Sequence, residues 1–183
     1  MRLWRVGPWD RSAQPDEPGH PLWVPREYQG VGRHDAPELY GVLYMAEKAV
    51  SAVAEMLAPF RGTGDLHPAM LVRQGRELAL AEAELTDTAI LVDLDDPAVL
   101  VTERLRPSVV ATRERSATQT YARKLFAAHP DAAGLRWWSV LEASWPQVTL
   151  FDRAVRNLTI TGVEVLSVEH QAVQEAAEVL GLA

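Results

Sequence analysis

The chain of 183 residues has the length of one domain, since a single hydrophobic core is typical of chains of about 100 to 200 residues. Its composition, 48% hydrophobic and 23% charged, is that of a folded protein and argues against disorder. The net charge of −7 disfavours direct binding of DNA or RNA, and the lack of cysteine excludes disulfides, thiolate metal sites and a cysteine nucleophile.

The distribution of apolar residues bears on where the protein acts. No apolar run approaches the roughly 18 residues of a membrane span. Gly7 and Pro8 interrupt the N-terminal segment before a signal peptide could form. We therefore expect a cytoplasmic protein that does not contact the membrane, which the absence of cysteine also fits.

The first half of the chain alternates short regular elements with irregular segments. Apolar runs predict strands at residues 3–6, 42–45, 77–84 and 89–92. Residues 9–32 and 61–77 are rich in proline or glycine and predict long loops, which often serve a site. The alanine-rich segment 46–57 predicts a helix whose apolar face excludes Glu55 and comprises Ala46, Val50, Val53 and Leu57.

The second half of the chain has a similar pattern. Ser116 and Gln119 have the capping-box spacing and predict the start of a helix over residues 117–128. Three strands of one sheet are predicted at residues 135–141, 147–152 and 158–166. Ser167 is predicted to cap a last helix that ends at Gly181. The order of the elements predicts one α+β domain over residues 1–183, with mixed sheets and flanking helices.

Several common kinds of site have no sequence support. The five histidines show no metal-binding spacing, so no metal site is expected, and a solvated turn explains the aspartates at 93, 95 and 96 more simply than a cation site does. Residues 62–65 lack the lysine of a phosphate-binding loop, and no Gly-x-Ser-x-Gly elbow is present. Common nucleotide-binding loops and serine hydrolases are therefore disfavoured.

A set of short motifs remains, and their order carries a resemblance. The motifs are Trp4-Arg5-Val6, Gly32-Arg33, Leu43-Tyr44, Val53-Ala54-Glu55, Trp138-Ser139 and Phe151-Asp152-Arg153. In this order and spacing they resemble the RES-domain family, which is named for an arginine, a glutamate and a serine. The common family pattern Gly-Gly-Arg-Trp-Asn differs here, because Val31 precedes Gly32, and His34 and Asp35 follow Arg33.

The resemblance implies a core like that of ADP-ribosyltransferases and an activity on NAD as substrate, not as a cofactor. The family implies release of nicotinamide with water or phosphate as acceptor, and a bacterial toxin paired with a helix-turn-helix antitoxin of the Xre type. Two alternatives stay open: transfer of ADP-ribose to a protein target, and NAD binding without catalysis. The oligomeric state is also open, a homodimer within a hetero-oligomeric complex being one arrangement.

Five residues are the candidate site. Arg33 offers a planar set of donors suited to a diphosphate. Tyr44 can stack on nicotinamide or ribose, or it is a core tyrosine. Glu55 can stabilise the oxocarbenium-like charge as the glycosidic bond breaks, or it is a solvated helix residue. Ser139 can bind a phosphate or fix Arg33, and Arg5 is a second phosphate contact or a structural ion pair. We expect Glu55 to face a polar cleft with Arg33 and Tyr44.

Overall fold

A computed structural model describes residues 1–182 and divides the chain into two units, neither of which is continuous in sequence. The first unit comprises Met1–Trp23, Ala46–Glu84 and the described residues from Thr159 onward. The second unit comprises Val24–Met45 and Leu85–Leu158. Each unit contains both strands and helices, and the predicted α+β fold with flanking helices is confirmed.

The first unit is built on antiparallel strands. Its elements are β1 (Arg2–Pro8), α1 (Ala49–Leu57), β3 (Val72–Arg73), β4 (Arg76–Leu85), β8 (Leu158–Val165) and α5 (Gln171–Leu180). β1 pairs with β4 along its whole length, β3 pairs with the start of β4, and β8 also pairs with β4. Helix α1 contacts both β1 and α5. The buried apolar side chains of this unit include Leu3, Val53, Leu57, Leu78, Val173 and Leu180.

Two predicted helix starts in this unit were wrong. Helix α1 begins at Ala49, because Ala46 ends strand β2 (Val42–Ala46) and pairs with Trp4. Helix α5 is capped by His170, whose Nδ1 accepts a hydrogen bond from the backbone of Ala172, and not by the predicted Ser167. The predicted stop at Gly181 is confirmed by its left-handed backbone, with φ of 68°.

The second unit has a mixed sheet and three helices. Its further elements are β5 (Ile90–Asp93), α2 (Pro97–Glu103), α3 (Pro107–Val110), α4 (Arg115–Ala128), β6 (Ala132–Trp138) and β7 (Pro146–Phe151). The strand order is β2-β7-β6-β5, with β6 antiparallel to β7 and parallel to β5, so the three helices form the crossover between β5 and β6. The rings of Tyr40, Phe126 and Phe151 pack together with centroids 4.4 to 4.9 Å apart.

Two local features fix this sheet and the helix that follows it. A side chain at Gly134 of β6 would place its Cβ 2.1 Å from the carbonyl oxygen of Thr149, so only glycine allows β7 to lie this close. After β5, the predicted turn is confirmed: Asp96 accepts a hydrogen bond from the backbone of Ala98 and caps α2. The apolar run 98–101, which had no predicted structure, lies within this helix.

Candidate functional site

The loop that carries Arg33, residues 30–35, is held by one carboxylate and one phenol. We call it the arginine loop. Asp35 Oδ2 accepts hydrogen bonds from the backbone N–H groups of Gly30 and Gly32 at 2.8 and 2.7 Å. The Tyr44 hydroxyl donates to Asp35 Oδ1 at 2.6 Å and accepts from the His34 backbone N–H at 2.8 Å. The Asp35 carboxylate therefore holds the backbone before Arg33, and Tyr44 holds the backbone after it.

The burial and charge of the Tyr44–Asp35 pair favour a hydrogen bond with a structural role. Burial raises the pKa of the Tyr44 phenol well above its ordinary value, and the neighbouring Asp35 carboxylate raises it further. The phenol is thus protonated at every physiological pH and can donate to the carboxylate. Hydrogen bonds to a charged group are about twice as strong as neutral ones. The arginine loop is therefore fixed from its inner side.

Gly32 is required by this arrangement. A Cβ at position 32 would lie 2.5 Å from Asp35 Oδ1 and 2.6 Å from the Tyr44 hydroxyl. Both distances are shorter than any side-chain carbon tolerates, so the close approach of Asp35 and Tyr44 needs a residue without a side chain. The Gly32-Arg33 motif thus has a steric cause in this chain.

The outer side of the loop is held by helix α4. Gln119 Nε2 donates to the carbonyl oxygens of Gly30 and Gly32 at 3.0 and 2.9 Å. The predicted capping box at this helix was therefore wrong: α4 begins at Arg115, Ser116 donates to the Glu114 side chain, and Gln119 binds the loop instead. Between the two bonded glycines, the Val31 side chain is 85% exposed.

Arg33 itself is buried, with 5% of its surface exposed. Its Nη1 donates to the carbonyl oxygens of Val110 and Thr112 at 2.9 and 2.8 Å, and its guanidinium carbon lies 4.7 Å from the centroid of the Trp137 ring. The Arg33 charge also acts on the Tyr121 phenol, where it opposes the rise in pKa that burial causes. These contacts present the guanidinium in one orientation, which is the geometry that recognition of a planar or bidentate anion requires.

His34 was not among the candidate residues, although it lies at the centre of the same unit. Its ring is fully buried, with Nδ1 2.8 Å from Thr149 Oγ1 and Nε2 2.7 Å from the Tyr121 hydroxyl. Burial lowers the pKa of His34 well below its ordinary value, and the charges of Arg33 and Arg115 lower it further. The only sequence signal was the departure from the family pattern, in which His34 and Asp35 replace Trp and Asn.

Ser139 lies just beyond strand β6 and not within a strand as predicted, because β6 ends at Trp138. The side chain is buried, and its Oγ accepts a hydrogen bond from the Leu141 backbone at 3.0 Å. The Ser139 backbone N–H donates to the carbonyl oxygen of Trp145 at 2.9 Å. These bonds order the turn that leads into β7, two residues after the ring on which Arg33 rests.

The other two candidate residues belong to the first unit. Glu55 lies on α1 and is half-buried, next to the fully buried Ala54. Arg5 lies on β1 and is also half-buried; its Nη1 donates to the carbonyl oxygens of Pro21 and Trp23, and burial lowers its pKa to about 10. Both acceptors of Arg5 are backbone carbonyls rather than carboxylates.

Two further properties of residues 1–182 concern metal binding and membrane crossing. Over this range, no group of three or more histidine, aspartate or glutamate side chains is arranged to hold a metal ion. None of the helices described for these residues combines the length and the apolar character needed to cross a bilayer.

Comparisons with known proteins agree with the motifs. Residues 2–170 match the RES domain family. The fold is similar to that of a chain in the crystal structure of the M. tuberculosis MbcT-MbcA toxin-antitoxin complex, with a TM-score of 0.66 and 16% sequence identity over 98% of this chain and 88% of that chain. No curated protein matches the sequence. Because the family match spans nearly the whole sequence, the chain belongs to the RES domain family.

Proposed function

We propose that this protein is the toxin of a toxin-antitoxin pair and that it cleaves the nicotinamide-ribose bond of NAD. The observation that carries the proposal is the arginine loop, in which Asp35 and Tyr44 hold the backbone before and after a buried Arg33. Membership of the RES family and the shared fold with a chain of a toxin-antitoxin complex support it.

The chemistry assigns a role to each candidate residue. Arg33 binds the diphosphate of NAD through paired hydrogen bonds, and because the guanidinium is buried its attraction to phosphate is less screened than in water. Tyr44 keeps the loop in place and offers its half-buried ring to the nicotinamide or ribose. Ser139 and Arg5 supply further contacts to phosphate.

The reaction breaks the bond between the ribose C1 and the nicotinamide nitrogen. Nicotinamide leaves as a neutral molecule with the bonding electron pair, and positive charge develops on the ribose. Glu55 stabilises that charge or orients the ribose hydroxyls. Water then attacks C1 and loses a proton, which gives ADP-ribose; phosphate as acceptor gives ADP-ribose carrying one more phosphate.

Release of nicotinamide by the purified protein, made by cell-free synthesis, tests the proposal. We expect Glu55→Gln to lower kcat by about 10² to 10³, the usual effect of removing one group that stabilises transition-state charge. Arg33→Lys keeps the charge but loses the planar fork, so it should raise KM. The matched controls are Glu178→Ala and Arg156→Ala, which change exposed residues of the same type and should leave turnover unchanged.

Three outcomes would redirect the proposal. Label from NAD incorporated into a protein band would favour ADP-ribosyl transfer to a target. Binding of NAD with no nicotinamide released over hours would favour a non-catalytic NAD-binding protein. If the wild-type protein neither bound NAD nor released nicotinamide, an action on NAD would be excluded. Repeating the assay with and without phosphate, and separating the products, distinguishes hydrolysis from phosphorolysis.

The partner proposed for this toxin is a helix-turn-helix antitoxin of the Xre type. Expression of the wild-type chain should arrest growth and lower cellular NAD, and co-expression of the antitoxin should restore both. Expression of Glu55→Gln should neither arrest growth nor lower cellular NAD. Normal growth and NAD content under wild-type expression would contradict a role as toxin.

A further inference from the structure

Two of the supports of Arg33 converge on the His34 ring. One is Trp137, whose ring lies under the guanidinium; the His34 ring meets Trp137 edge-on, with centroids 5.2 Å apart. The other is the Tyr121 hydroxyl, which hydrogen-bonds to His34 Nε2 at 2.7 Å and on which the Arg33 charge acts. A change at His34 therefore reaches the guanidinium by two routes.

The same ring is tied to the sheet. His34 Nδ1 bonds to Thr149 Oγ1, which also accepts a hydrogen bond from Trp137 Nε1 at 3.1 Å. The side chains thus form one chain of contacts that runs from Tyr121 through His34 and Thr149 to Trp137, whose ring stacks against Arg33. Every member of this chain is less than 10% exposed, so water does not substitute for a missing contact.

The hydrogen bonds of this chain are satisfied with fewer surplus hydrogens by a neutral imidazole. Trp137 Nε1 can only donate, so Thr149 Oγ1 accepts from it. The two links Tyr121–His34 and His34–Thr149 use one hydrogen each. Tyr121, His34 and Thr149 bring three hydrogens when the imidazole is neutral and four when it is protonated, so one hydrogen is surplus in the first case and two in the second.

The surrounding charges favour that neutral form. The cations that face the ring are Arg33 and Arg115, and both oppose an imidazolium. The Tyr121 phenol has its pKa raised by burial to about 12, so it keeps its proton. The remaining titratable neighbours are Tyr44, which accepts from the His34 backbone, Tyr40, which donates to the His34 carbonyl at 3.0 Å, and the adjacent Asp35.

We propose that His34, as a neutral imidazole, is a positioning residue for Arg33 and sets the place of the guanidinium through the Tyr121 hydroxyl and the Trp137 ring. This role bears on NAD only in so far as the proposed function is right, because Arg33 is there the diphosphate ligand. The positioning itself is a property of the folded chain and can be measured without substrate.

The experiment compares three variants with one control. Tyr121→Phe removes the hydroxyl that bonds to His34 and on which the Arg33 charge acts, His34→Leu removes both ring bonds, and His34→Gln restores a donor and an acceptor. The control is Thr118→Val, which removes another fully buried hydroxyl from the same helix, where it donates only to the Arg115 carbonyl. The readout is the Nε–H resonance of Arg33 in protein labelled with ¹⁵N-arginine, assigned by its loss in Arg33→Lys.

We expect the Arg33 resonance to move in Tyr121→Phe and His34→Leu, to return toward its wild-type position in His34→Gln, and to stay in place in Thr118→Val. For nicotinamide release, the first two variants should raise KM by about tenfold, the size of one lost hydrogen bond to a charged group, with a smaller change in kcat. An Arg33 resonance that is unchanged in both variants overturns the positioning role. A wild-type protein that releases no nicotinamide contradicts only the proposed function, since the Arg33 resonance still tests the role of His34.

Discussion

Replacing Tyr44 by Phe isolates what its hydroxyl does for the arginine loop. The substitution keeps the ring and removes one oxygen, which donates to the Asp35 carboxylate and accepts from the His34 backbone. Asp35 is 3% exposed, so it loses a hydrogen bond that water does not replace. The His34 N–H is left without its acceptor in the protein interior.

The size of the effect follows from these two losses. A hydrogen bond to a buried charged group contributes about 1.5 to 3 kcal/mol, and an unsatisfied buried N–H costs about 1 to 3 kcal/mol. Values near the lower ends of these two ranges add up to a loss of about 3 kcal/mol in the free energy of unfolding. For a chain of this size, that corresponds to a fall in melting temperature of roughly 6 to 12 °C. Urea denaturation followed by tryptophan fluorescence measures the free energy directly.

Tyr40→Phe is the matched comparison, because Tyr40 is also buried and its hydroxyl makes one bond to a neutral carbonyl, that of His34. We expect it to cost about 1 kcal/mol. If Tyr44→Phe cost no more than Tyr40→Phe, the Asp35 carboxylate would not depend on Tyr44, and the loop would not be fixed as described. If Tyr44→Phe lost activity but kept the wild-type unfolding free energy, the Tyr44 hydroxyl would instead act on the substrate.

Further predictions concern the glycines and the buried histidine. Gly32→Ala should destabilise by about 1 to 3 kcal/mol by forcing Asp35 and Tyr44 apart, whereas Gly162→Ala, with no atom within 4 Å of the new Cβ, should change the urea-unfolding free energy by less than about 0.5 kcal/mol. Equal losses of stability in Gly32→Ala and Gly162→Ala would contradict the steric explanation for Gly32. Gly134→Ala should cost at least about 3 kcal/mol, since the clash is with backbone; a folded protein of wild-type stability by the same measurement would refute it. Since the folded pKa of His34 is lowered, the unfolded chain binds a proton below pH of about 6.5 that the native protein does not. Stability is therefore full above that pH and falls by about 1.4 kcal/mol per unit as the pH drops toward the folded value. Urea unfolding at several pH values should show this slope reduced in His34→Gln, and an unchanged slope would assign it to other groups.

The sequence predicted most elements because their signals are local. Strands β1, β2, β4, β5, β7 and β8 and helices α1, α4 and α5 follow from apolar periodicity and from proline and glycine breaks. The capping box failed because Ser116 and Gln119 have the right spacing but Gln119 bonds to carbonyls 87 and 89 residues away. A local pattern carries no information about a partner at that distance.

The candidate site was predicted only in part, because local motifs identify some of its residues but not the contacts between residues far apart in sequence. The motifs identified Arg33 and Tyr44, which the structure joins through Asp35 and the His34 backbone. They did not identify His34 as a buried hub, because its partners Tyr121 and Thr149 lie 87 and 115 residues further along the chain. An alternating strand gives no sign that a threonine on its inner face will meet a histidine from a distant loop.

The distance in sequence between the arginine loop and its partners has a consequence for synthesis on the ribosome. The loop is made early, but its anchors at Val110, Gln119, Tyr121 and Thr149 emerge much later. Until Thr149 has left the exit tunnel, the contacts that fix Arg33 are incomplete. A nascent chain therefore passes through most of its translation with these distant contacts incomplete, and during that interval the emerging polypeptide lacks the fixed guanidinium.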